Sequence, residues 1–62
     1  MASLMLMAVQ LQTGDVIHTP NWPEHVVRAW PDERGVAVVV SEFPGLVLHY
    51  PLAALLHVER AS

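Results

Sequence analysis

Five prolines, at positions 20, 23, 31, 44 and 51, constrain this 62-residue chain more than any other feature. Proline fixes φ and lacks a backbone N–H, so it breaks a helix interior. Beyond Leu11 no uninterrupted helical stretch remains, and the gaps between prolines are strand-sized. The spacing predicts strands over residues 15–19, 25–30, 36–42 and 46–50, the first following a Thr13-Gly14 turn. Pro31-Asp32-Glu33-Arg34-Gly35 reads as an exposed hairpin loop whose charges are solvated. Phe43-Pro44-Gly45 closes the next hairpin, with Gly45 expected at positive φ.

Pro51 suits the first position of a short helical turn continued by Leu52-Ala53-Ala54-Leu55, and residues 57–59 form a last strand. The expected fold is therefore all-β. It is a small SH3-like barrel of four to five antiparallel strands, with one short helical turn before the last strand, in a single domain over residues 13–60. Residues 1–12 read as an N-terminal arm, loosely ordered. Its apolar run is too short to span a membrane, which takes about 20 residues. No Lys or Arg precedes Arg28 to supply a secretory n-region, so the expected location is cytoplasmic.

A chain of this length buries only roughly 60% of the surface its unfolded form exposes. There is no cysteine, so disulfides cannot make up the deficit. Yet 53% of residues are apolar and only 15% charged. That surplus points to a subunit interface and a symmetric homo-oligomer. The run Val36-Ala37-Val38-Val39-Val40 is apolar on both faces, which calls for a cover on each side; the second is expected from another subunit.

A net charge of −3, with Arg28, Arg34 and Arg60 as the only cations, argues against nucleic acid as a partner. No membrane partner is expected either. His18, His25, His49 and His57 lack ligand-like spacing and no cysteine joins them, so no metal site is expected. Ser41 has neither a nucleophile-elbow frame nor a local base. Asp32 and Glu33, adjacent on a loop, should titrate normally, and Glu42 reads as a turn or interface contact. No catalytic residue is assigned. Trp22, Trp30 and Tyr50 either line a binding face or pack internally.

Ser41-Glu42, Pro44-Gly45, Val47, Tyr50-Pro51 and Ala53-Ala54-Leu55 occur in an order and near-spacing that resembles type II, plasmid-encoded, trimethoprim-insensitive dihydrofolate reductases. Gly14-Asp15, and the interval from Trp22 to Val26-Val27, agree with the same family. The resemblance covers roughly residues 14–58. It implies an SH3-like barrel assembled as a homotetramer around a pore, in which an oxidoreductase uses NADPH (the NADP cofactor) to reduce dihydrofolate. By resemblance Val47, Leu48, His49 and Tyr50 are the ligand-binding residues.

The family's segment there reads Val-Gln-Ile-Tyr. Leu48 thus stands in place of a glutamine whose amide grips ligand, and leucine has neither donor nor acceptor. His49 replaces an isoleucine whose backbone binds nicotinamide. The region of His18-Thr19-Pro20 lacks the family's anion-binding lysine. A second reading therefore stands beside the reductase: a noncatalytic SH3-like binding or scaffold module, without cofactor, sharing only the fold and assembly.

Overall fold

The computed structural model describes residues 2–61. The chain forms six strands: β1 (Ala2–Met7), β2 (Val16–His18), β3 (Pro23–Asp32), β4 (Gly35–Val40), β5 (Leu48–Tyr50) and β6 (Leu55–Arg60). They make one antiparallel sheet in the order β1-β6-β2-β3-β4-β5. From β2 to β5 the strands follow one another as a meander, and β6 then returns beside β2. This is the SH3-like arrangement expected from the turns, with β1 added outside β6. The end strands β1 and β5 do not pair with each other, so the sheet is rolled without closing.

Residues 2–7, read from sequence as a loose arm, are an ordered strand. Each pairs with β6, from Ala2 opposite Arg60 to Met7 opposite Leu55. A 3₁₀ turn (Ala8–Gln10) follows, and its Ala8 is buried. It is anchored to the segment before β6, where Ala8 N–H donates to Ala54 C=O at 2.9 Å and Val9 N–H to Leu52 C=O at 3.2 Å. The expected helical turn is a single hydrogen-bonded turn, Ala54 N–H to Pro51 C=O. Among the described residues no helix is long and apolar enough to cross a membrane.

A single sheet can enclose a core only by curling over its own inner face. The buried cluster draws on nearly every strand: Ile17, Val26, Val36, Val38, Val40 and Val58, with Ala8 and Leu11 at one end. Most are β-branched, the side chains that pack best on a pleated surface. The curl is helped by a bulge in β3, where Val26 faces Val40 but Arg28 already faces Val39, leaving Val27 as the extra residue.

Two of the prolines belong to β3. Pro23 is the first residue of the strand, a tolerated place. Pro31 pairs with Val36 of β4, beyond the three residues of β3 that β2 reaches, so its missing N–H faces no neighbouring strand on that side.

The loop between β3 and β4 is only Glu33 and Arg34, and neither has positive φ. The reversal is taken up by Gly35, at φ +131°. Gly45, by contrast, does not adopt positive φ. Leu46 N–H bonds to Phe43 C=O across a Pro44-Gly45 turn of the type open to most residues.

The outer face of β4 is covered from within the chain. Ala37, fully buried, lies between Trp30 on β3 and His49 on β5. The Arg28 guanidinium sits 4.5 Å above the Trp30 ring and extends the cover toward its own cross-strand partner, Val39. Much of the second cover thus comes from these side chains, where another subunit was expected.

A part-buried ion pair joins the turn before β2 to the end of β6. Asp15, 1% exposed, accepts from Arg60 Nε at 2.9 Å and Arg60 Nη2 at 2.8 Å, one bond to each carboxylate oxygen. The same Nη2 reaches Gln10 C=O at 3.1 Å, and the carboxylate also accepts from Gln12 N–H.

Candidate functional site

The strand carrying the four residues singled out by resemblance is β5. Its pairing sets Leu48 opposite Val38, His49 opposite Ala37 and Tyr50 opposite Val36. Because neighbouring residues of a strand point to opposite faces, the four do not form one surface. Leu48 and Tyr50 turn inward and pack on the core. His49 turns outward. Val47 precedes the strand and is half exposed.

Tyr50 reaches an unexpected partner. Its hydroxyl donates to Glu24 Oε1 at 2.7 Å, and Glu24 is only 7% exposed. Glu24 and Val26 alternate on the buried face of β3, which aims the carboxylate across the sheet's interior. Burial, and the carboxylate beside it, push the Tyr50 hydroxyl well above the ordinary tyrosine range. The phenol therefore stays protonated and acts as a donor.

On the opposite face His49 Nε2 lies 2.8 Å from Asp32 Oδ2. The other oxygen of Asp32 accepts from Arg34 N–H at 2.8 Å, closing the tight hairpin. The Arg34 N–H, and after it His49, hold the Asp32 carboxyl below its usual value. Asp32 is exposed, as expected, but the normal titration expected from sequence is corrected by two specific hydrogen bonds. Together Asp32, Glu33, Arg34 and His49 line an open pocket of about 450 Å³.

This pocket offers a carboxylate-oriented imidazole beside a guanidinium. Orientation by a carboxylate is what a histidine general base needs. No hydroxyl or thiol is among the lining residues, so what they provide is donors and acceptors for a polar group.

A separate cluster joins the loops before β3 and after β4. Trp22 and Phe43 meet with ring centres 5.5 Å apart, and Glu42 accepts from His25 N–H at 2.7 Å while pairing with the His25 ring. The His25 backbone N–H is the main reason the Glu42 carboxyl is held low. Trp22 remains 45% exposed, whereas Trp30 is half-buried beneath Arg28.

The remaining histidines lie across the adjacent strands β2 and β6, with rings 5.0 Å apart. His18 pairs with Glu59 at 3.1 Å, and His57 Nε2 meets Ser3 Oγ. Among the described residues no group of three or more His, Cys, Asp or Glu is arranged to hold a metal ion.

Glu24 and the Asp15–Arg60 pair are the polar groupings that the sequence did not single out. Glu24 had one local signal, its alternation with Val26 before a hydrophobic strand. Compared with known proteins, the chain matches no family model, no curated protein and no solved structure.

Proposed function

We propose that the chain is a noncatalytic SH3-like scaffold module that works as a homo-oligomer. The observation that carries this reading is the division of β5. Leu48 is packed on the core, the Tyr50 hydroxyl is held by buried Glu24, and His49 is held by Asp32 on the far face. A pore reductase of the type II dihydrofolate reductase kind would need the side chains of Leu48 and Tyr50, with the backbone of His49, to address one pair of stacked ligands, whereas here both side chains pack on the core of their own domain. Here Tyr50 would first have to leave a buried carboxylate without its donor, which is costly.

Self-association is supported by the apolar side chains left on the surface. Met5, Val9, Leu46, Val47 and Leu55 are each half or more exposed. A small domain without disulfides gains stability by covering such groups with a second copy.

The test is a titration of ¹⁵N-labelled protein with NADPH and dihydrofolate, run beside an assay of NADPH absorbance with trimethoprim present. The expected result is a flat absorbance trace and unmoved amide resonances over residues 47–50. Trimethoprim-insensitive loss of NADPH, with shifts at His49 and Tyr50, would overturn the scaffold reading in favour of the reductase.

A further inference from the structure

The two edges of the sheet differ in a way that selects a partner. At one end β5 is only three residues long, is followed at once by Pro51, and has its middle residue tied to Asp32. Shortness and a flanking proline are the features that keep an edge from recruiting another strand. At the other end β1 has six residues and neither charge, proline nor glycine.

β1 is also apolar on both faces. Leu4 and Leu6 are half-buried on the inner side, while Met5 and Met7 stand exposed on the outer one. Such a pattern belongs to a strand with neighbours on both sides. Only β6 is present, so about half of the N–H and C=O groups of β1 point to an unpaired edge.

We infer that β1 is the assembly edge of the protein, pairing antiparallel with β1 of a second copy about a two-fold axis normal to the sheet. This rests on the homo-oligomer reading and identifies its surface. The alternative of β1 on a partner's β5 would match six residues with three and leave further edges open to propagate. Pairing like with like matches strands of equal length and closes.

The symmetry also fixes the facing. Under a two-fold normal to the sheet, either Leu4 or Met5 meets its own copy, and outward residues join outward residues. Met5 and Met7 of both copies then share one face. Leu55, opposite Met7, continues the patch, and Val9 and Leu52 adjoin it through their backbone bond. On the inner face Leu4 and Leu6 extend the core across the seam. With no charge in β1, no like-charge contact opposes the pairing.

The test measures mass by sedimentation velocity at micromolar concentration, together with hydrogen exchange of the β1 amides. The full chain should be a dimer, twice 6.9 kDa, with those β1 amides that face away from β6, Met5 among them, protected in a concentration-dependent way. Met5→Lys and Met5→Asp, at an outward position 62% exposed, should each weaken the dimer by roughly tenfold or more, and mixing the two should restore it. Val27→Lys, at the exposed bulge of β3 and outside β1, should leave the mass unchanged. A wild-type monomer would overturn both the assembly and this edge. A wild-type oligomer that neither Met5 variant loosens, or in which the β1 amides exchange as fast as the loops, would overturn this edge alone.

Discussion

Arg60 grips both carboxylate oxygens of Asp15 from 45 residues further along the chain, joining the turn before β2 to the end of β6. Asp15→Ala removes a buried anion and its bonds to Gln12 and Arg60, and should cost about 2–3 kcal/mol in urea unfolding. Arg60→Met strands the carboxylate and should also destabilise. In the Asp15→Ala background it should cost much less, and equal costs in the two backgrounds would refute the coupling.

The same pair sets an acid limit. Arg60's hydrogen bonds hold the Asp15 carboxyl below its ordinary value, against the opposing effect of burial. A folded-state pKa below the unfolded one gives stability that is present above the unfolded value and lost as pH falls through the folded one. Asp32 and Glu42 act in the same sense but are more exposed. The melting temperature should drop below about pH 4. In Asp15→Asn that drop should be shallower, and an unchanged acid slope would count against Asp15 as its source.

Tyr50 is the only tyrosine, so absorbance of the phenolate reports on it alone. Its pKa is raised in the folded state, so its contribution is full below the ordinary value near 10 and is lost as pH rises through the folded one. The titration midpoint should lie above that of free tyrosine, and Glu24→Gln should bring it down. Tyr50→Phe should cost about 1 kcal/mol, because buried Glu24 loses its donor. A normal midpoint in the native protein would mean that the Glu24 contact is not made in solution.

Gly35 lies against the backbone of Tyr50, whose carbonyl oxygen occupies the space a Cβ would need. Gly35→Ala combines that clash with a positive φ and should cost about 2 kcal/mol or more. Gly45→Ala meets open space at ordinary φ and should stay within about 0.5 kcal/mol. Similar midpoints for the two variants would contradict the hairpin geometry.

The all-β fold could be read from Pro20, Pro44 and Pro51, because a helix breaker acts locally. β1 could not, because its outward positions Met5 and Met7 are as apolar as its inward Leu4 and Leu6, which erases the period of two. Leu55 and Leu56 hid the start of β6 in the same way. The Tyr50–Glu24 and Asp15–Arg60 contacts join residues far apart in sequence and leave no spacing to recognise. His49 was singled out by resemblance, but its partner depends on the register of β4 and β5. The parity of Leu48 and Tyr50 on one face was legible, since alternation needs only the strand itself.

The position of β6 has a consequence for synthesis. It lies between β1 and β2, so the strand that joins the first two is made after the other five described here. Until residues 55–60 leave the ribosome, β1 has no partner and Asp15 no counter-ion, while the β2–β3–β4 meander can already form. Pairing of β1 is thus held back until β6 has been made, and the apolar β1 segment is the part of the sheet most in need of shielding during that interval.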